Sequence, residues 1–335
     1  MLCLTGTTSS AQAKTWQSES SGEATKKLAA APAKQSKGTG VLAPLSTPPR
    51  TLQFPTYSCG GLIICNGPQT SFHNDNSNAP TARAQGQVSI PANKYVVFVP
   101  NGYFFQKPQA LNNLPPNAFD GIVFRFMSMT DADEGNGDRG LQALSRFTGL
   151  RSIDCEAAEI SDRGLSFLKS VSSLEFVNVS RTGVNGQFLK DMSRCKQLKV
   201  VDLHGCVTTA AGLKYLPAIE QLQRLSLSQT TIDSNSIKPL AQCKNLTILD
   251  LCRNKGINDM AIATIAAIKR LQVVNIAETS ISPAGLHKLA AAKPKLAIQG
   301  QPDGSPAGKK AKQPRAENQT DIENILQPVS TDRGL

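Results

Sequence analysis

Apolar residues recur along the middle of the chain with a period of about 24. Leucine stands at 150, 174, 198, 222, 246, 271 and 296, at spacings of 24, 24, 24, 24, 25 and 25. Three residues after the first six lie Ile153, Val177, Val201, Leu225, Leu249 and Val274. Five after them lie Cys155, Val179, Leu203, Leu227, Leu251 and Ile276. Apolar and other residues alternate here, the period of a half-buried strand. Fifteen or sixteen residues after each anchor come Leu165, Leu189, Leu213, Ile237, Ile262 and Leu286. Most are followed three later by another apolar residue, such as Leu168, Met192, Leu216 or Leu240. That i, i+3 spacing predicts a helix. Between the halves, Ser161, Asn185, Thr209, Asp233, Asn258 and Ser282 fall at one equivalent position, and all are side chains that cap helix N-termini. Eight residues after the anchor come Ala158, Thr182, Cys206, Thr230, Asn254 and Thr279. A side chain buried where a strand turns has to satisfy loop backbone groups, which suits all of these but Ala158.

A strand–turn–helix unit of this length cannot bury its apolar face alone, so the units have to stack. A purely helical repeat conflicts with the period of two in Leu222-Gln-Arg-Leu-Ser-Leu227 and Leu271-Gln-Val-Val-Asn-Ile276. The pattern LxxLxLxx(N/C/T), as in Leu222 to Thr230, resembles the leucine-rich repeat family. Cys195-Lys-Gln-Leu198, Cys243-Lys-Asn-Leu246 and Cys206 are similar to its cysteine-containing subtype. The resemblance covers roughly 120–300. Thr208 departs from it, standing where neighbouring repeats have Ile160, Val184 and Ile232, and the repeats from 246 and 271 carry one extra residue. It implies an α/β fold: a curved leucine-rich repeat solenoid with a parallel sheet on the concave side and helices outside.

The flanks differ from the repeats. Gly121–Phe126 reads as a first repeat strand, so the repeat domain is expected over 121–300. Upstream, 86–92 and 94–100 alternate on either side of a Pro-Ala-Asn-Lys turn and predict a hairpin, within a small β-rich N-terminal cap over 51–120. Cys59 and Cys65 of that cap either pair as a disulfide, if the protein is exported, or pack as small core residues. Residues 1–50, rich in Ser, Thr, Ala, Lys and Pro, read as a disordered leader, and 301–335 as a disordered tail. Within the tail, Thr320–Leu326 has the pattern of one or two capped helical turns. Met1–Ala13 ends in Ala11-Gln12-Ala13, the small-residue pattern of an export cleavage site, without the basic and apolar stretches that should precede it. Two readings stay open: a signal-peptide remnant of a protein exported to the periplasm, envelope or exterior, or the ordinary terminus of a cytoplasmic one.

Charge and candidate chemistry narrow the function. The 335 residues carry 36 Lys plus Arg against 25 Asp plus Glu, a formal charge of +11. That excess is spread over leader, cap and repeats, which speaks for solubility and against a nucleic-acid partner. No apolar run reaches the length of about eighteen residues that a membrane-spanning helix needs. GxSxG, HExxH and the phosphate-cradling GxxxxGK[ST] are missing from the sequence. One GxGxxG match, Gly135 to Gly140, lies in an acidic insertion whose Asp133, Glu134 and Asp138 would repel a pyrophosphate. Asp131–Asp138 lacks the Gly and Glu of a calcium loop, with Asn136 and Gln142 at those positions, and reads as a solvated loop. No CxxC pair exists; Cys155, Cys195, Cys206 and Cys243 sit at core positions, and Cys252 is a candidate reactive thiol on the concave side. His73, His204 and His287 are far apart in the repeat frame. Hence no catalytic site, cofactor or metal is expected.

What remains is a surface. Strand positions between the inward residues face the concave side. One column reads Val123, Ser152, Phe176, Val200, Arg224, Ile248, Val273; the next reads Arg125, Asp154, Asn178, Asp202, Ser226, Asp250, Asn275. A third reads Met127, Glu156, Ser180, His204, Ser228, Cys252, Ala277. Seven strands at about 4.8 Å make a face about 30 Å long, the scale of a protein partner. The first column is expected to expose apolar side chains, which favours a contact site for a protein or peptide. Phe176, Val200, Ile248 and Val273 would be its apolar anchors, Asp154, Asp202, Arg224 and Asp250 would set charge selectivity, and His204 joins them from the third column. The bland alternative is that the Asp/Asn column merely pairs with neighbouring polar groups. A monomeric, non-catalytic binding module is the expected function. The alternatives are a substrate receptor of a ubiquitin-ligase-like complex, which the cysteine-containing subtype resembles in F-box proteins, and an envelope-associated structural protein.

Overall fold

Strands form where the sequence alternates. The computed structural model describes residues 47–67, 80–127 and 136–300, all within one compact unit. Five strands precede the repeats: β1 (Arg50–Gln53), β2 (Gly60–Cys65), β3 (Ala82–Arg83), β4 (Gln87–Ile90) and β5 (Tyr95–Pro100). Eight three-residue strands follow: β6 (Gly121–Val123), β7 (Ser152–Asp154), β8 (Phe176–Asn178), β9 (Val200–Asp202), β10 (Arg224–Ser226), β11 (Ile248–Asp250), β12 (Val273–Asn275) and β13 (Ala297–Gln299). Strands β5 to β13 are parallel neighbours in chain order, and β2 and β3 extend the same sheet beyond β5 to make eleven strands. This is an α/β leucine-rich repeat solenoid, with one short strand per turn of the coil.

Register follows the repeat. Ile122, Ile153, Val177, Val201, Leu225, Leu249 and Val274 are successive cross-strand partners, and all are buried. The ladder continues to Ile298, opposite Val274, so the last inward residue lies two after Leu296 rather than three. Leu296 keeps the leucine spacing but not the anchor's place in the sheet.

The helical half is short. Gly164–Ser170, Gln187–Arg194 and Lys238–Gln242 are 3₁₀ helices, whereas Ala261–Ala267 and Pro283–Ala292 are α-helices. A spacing of three fits the 3₁₀ form, whose residues i and i+3 eclipse. Of the six expected caps, Thr209 and Ser282 are helix N-caps, whereas Ser161, Asn185, Asp233 and Asn258 stand one or more residues ahead of the N-cap and make local turn bonds instead. Ser161, Asn185, Thr209, Asp233, Asn258 and Ser282 each accept, through the side chain, a backbone N–H two or three residues on, at 2.8–3.2 Å. These residues are also tied between repeats. Asp138 accepts bonds from the N–H and hydroxyl of Ser161, Asp162 from the N–H groups of Asn185 and Phe188, and Asp259 from both groups of Ser282.

Two expectations are corrected, and the choice left open for Cys59 and Cys65 falls against a disulfide. First, β4 and β5 do not pair with each other: β4 pairs with β1 and β5 with β2, both antiparallel. The hairpin is lost because β5 also serves as the parallel neighbour of β6. Cys59 and Cys65 stand at the two ends of the extended β2 segment. Six residues at about 3.3 Å each hold their Cα atoms about 20 Å apart, against the 4.4–6.8 Å a disulfide requires. Cys59 is buried with its thiol on the carbonyl of Ala84 instead. Second, Asn136–Ala143 is an α-helix, so the expected solvated loop ends by residue 135.

One apolar core runs from β1 to the last helix. Aromatic rings touch one another only at its N-terminal end among the described residues, where Phe98 and Phe147 flank Phe119 with ring centroids 4.8 Å away on each side. Phe167 and Phe188 are buried farther along the same core. Residues 1–46 of the expected leader with Ala11-Gln12-Ala13, His73, Asp131–Gly135 and the tail with Thr320–Leu326 lie outside the described residues. The leader's last residues belong to the cap instead, with Arg50 opening β1 and the Thr47 carbonyl accepting from the Asn93 N–H. Among the described residues no helix is long and apolar enough to cross a membrane, and no group of three or more His, Cys, Asp or Glu is placed to hold a metal ion.

Candidate interaction surface

The first concave column is not the exposed apolar patch that the sequence suggested. Val123, Phe176, Val200, Ile248 and Val273 are all buried, none more than 8% exposed. Strands about 4.8 Å apart press in-register side chains together. At the N-terminal end, Ile63, Tyr95 and Val97 of β2 and β5 join Val123, Phe176 and Val200 in a second apolar cluster. The half-buried Arg224 separates that cluster from Ile248 and Val273. The column is therefore a floor rather than a row of protruding anchors.

The second column has a backbone task. Asp154, Asn178, Asp202, Asp250 and Asn275 each accept, through Oδ1, the N–H two residues on, at 2.8–3.1 Å. The chain has to turn there: the next residues, Ala157, Arg181, Gly205, Gln229, Arg253 and Glu278, all have φ between +55° and +68°. Asp and Asn make this local turn bond equally well. To that extent the bland alternative describes the column.

The charges in the column differ from strand to strand. Asp154 is fully buried and receives Arg125 Nη1 at 2.8 Å and Asn178 Nδ2 at 3.1 Å on the same oxygen. Arg125 also lies 3.8 Å from Glu156, which in turn lies 3.4 Å from Arg181. Arg151 and the buried Glu175 form a further ion pair alongside. These charges are neutralised within the fold. Asp202 and Asp250, on either side of Ser226 in register, are half-buried and take part in no ion pair among the described residues. Burial raises both carboxyls, Asp250 to about 6, against the lowering effect of the backbone N–H groups of His204 and Cys252. His204 is held with Nδ1 2.6 Å from Ser228 Oγ, and burial lowers its pKa. Burial also pushes the Cys252 thiol up to about 11. It is thus a protonated thiol at neutral pH, a poor nucleophile.

Of the nine residues expected to bind a partner, the sheet places Phe176, Val200, Ile248 and Val273 in the floor, and Asp154 inside an ion-paired cluster. Asp202, His204, Arg224 and Asp250 come together on the half-exposed central strands β9 to β11 and the turns that follow. The Arg125–Glu156–Arg181 chain was not singled out from the sequence. Its signal was available, because position 125 lies in the second column and 156 in the third.

No family model and no curated protein matches the chain. Among solved structures, it is similar to internalin C2 from Listeria monocytogenes strain 4b F2365, at 19% identity over 51% of this chain and 79% of that one, with a TM-score of 0.37. The fold assignment rests on the strand register rather than on that likeness.

Proposed function

We propose that the chain is a non-catalytic interaction module whose concave sheet holds a protein or peptide through a cationic side chain seated at Asp202 and Asp250. One observation carries the reading. Asn178 and Asn275 make the same turn bond in the same column without a charge, so the fold has no need of a carboxylate at 202 or 250. Burial penalises the charge at both positions. A destabilising charge at a half-buried position on the sheet surface is a mark of function. Arg224 and His204 frame the pair and would select the orientation of the partner. The finer resemblance, to the cysteine-containing subtype, is favoured by the buried Cys195 and Cys206, whose thiols donate to the carbonyls of Val171 and Val179 at 3.1 and 3.0 Å.

The test is affinity capture with the full chain, comparing wild type with Asp202→Asn/Asp250→Asn. The expected outcome is a partner that binds wild type and is lost, or weakened by about tenfold or more, with the double variant. A partner held equally by both proteins would refute this site.

A further inference from the structure

Part of the positive charge falls in a row along one edge of the repeats. Where each helical half turns back into a strand, the corner carries Lys196, Lys244, Lys269 with Arg270, and Lys293 with Lys295. The acid of this series, Glu220, lies 3.4 Å from Lys196. The last two corners enclose an open cavity of about 580 Å³. Its rim is Lys269, Arg270, Lys293 and Lys295, and its floor includes Leu271 and Leu296. Arg270 donates to Asn245 Oδ1 at 2.9 Å and Lys293 to the carbonyl of Ile268 at 2.6 Å. Lys269 and Lys295 are exposed and take part in no ion pair among the described residues.

A basic rim over a leucine floor suits an acidic segment that also carries aliphatic side chains. A uniformly anionic surface would have no use for the floor. We propose that the occupant is the chain's own segment 316–332, seated by Asp321 and Glu323 on the lysines and by Ile322, Ile325 and Leu326 on the floor. That segment holds four carboxylates, Glu317, Asp321, Glu323 and Asp332, and no Lys or Arg. The described chain also ends near the cavity, since Leu296 lines it and Gly300 is the last described residue. The 21 residues from Gly300 to Asp321 span about 25 Å as a flexible coil and up to about 70 Å extended. A tether of that length gives an effective concentration near the millimolar range, so weak contacts suffice. The segment would cover the last repeat, where the outer edge of β13 has no further strand among the described residues. This inference does not depend on the concave-face reading.

Zero-length carbodiimide cross-linking of the full chain, mapped by mass spectrometry, tests it. The expected links join Asp321 or Glu323 to Lys269 or Lys295 within one molecule. They should fall at least about fivefold in Lys269→Glu/Lys295→Glu, and return when Asp321→Lys/Glu323→Lys is added. Both lysines are exposed, so the variants should fold like wild type. Links made mainly to the tail's own Lys309, Lys310 and Lys312, or to lysines of other faces with equal yield, would overturn the proposal. So would links found mainly between isotopically heavy and light copies in a mixture.

Discussion

Asp154 and Asp250 occupy the same position in their repeats and make the same turn bond, yet their surroundings are opposite. Around Asp154, Arg125 and Asn178 share one carboxylate oxygen, and the carboxylate is fully buried. Around Asp250 no cation is in reach: its hydrogen-bond partners are neutral, and burial, with the charge of Asp202 adding to it, raises its pKa to about 6. The N-terminal half of the concave face has resolved its charges internally and is, in effect, an extension of the core. The central strands have not. Position in a repeat fixes the backbone role of a residue, and only the neighbouring strands decide whether its charge is neutralised within the fold.

The largest effect should come from the floor. Phe176→Ala should destabilise the fold by about 3 kcal/mol in denaturant titration, as for a large buried core side chain. A loss under about 1 kcal/mol would mean that Phe176 is exposed in solution, restoring it as a contact residue. Asp154→Asn should cost about 1–3 kcal/mol, because it leaves Arg125 without its closest anion. The same chemical change at Asp250 should act in the other direction. Asp250→Asn keeps the Oδ1 acceptor and removes a charge penalised by burial, a gain of about 1–2 kcal/mol at neutral pH.

The pH dependence of that gain is fixed in sign. A carboxyl raised to about 6 in the folded state, above its ordinary value, takes up a proton more readily when folded. Its contribution therefore favours folding below about pH 4 and is lost as pH rises through 6. Wild type and Asp250→Asn should accordingly be nearest in stability at pH 4 and furthest apart above pH 6. Parallel curves across that range would show that Asp250 titrates normally. The smallest effect lies at the turn that follows the column. Gly205→Ala should cost no more than about 1 kcal/mol, since Ala157 and Arg181 already adopt the same positive φ in neighbouring repeats. A larger loss would mark this turn as more constrained than its neighbours, where Gly205 approaches Arg181.

Much of this was legible in the residues. The strand ladder follows from inward aliphatics repeating every 24 or 25 positions, and the six polar residues between strand and helix all bond a nearby backbone N–H, because both patterns depend on local geometry that the repeat imposes. Only Thr209 and Ser282 do so as helix N-caps. The burial of Phe176 and Val200 was not legible, because it comes from Tyr95 and Val97, far away in sequence, lying across the same sheet. The pairing of β5 with β6 in place of β4 is another long-range choice that alternation alone does not report. The left-handed turn gave no signal, since only Gly205 among its six members is a glycine. The second column did carry one: Asp or Asn recurring two residues before a turn is the pattern of a side chain bonding its own backbone.

The central claim is that the charges at 202 and 250 serve a partner at the expense of the fold. One protein tests both halves: Asp202→Asn/Asp250→Asn, measured by denaturant unfolding at neutral pH and by capture of the wild-type partner. The account predicts a variant more stable than wild type that no longer holds the partner. A double variant that is less stable than wild type, or that binds the partner as wild type does, would contradict it.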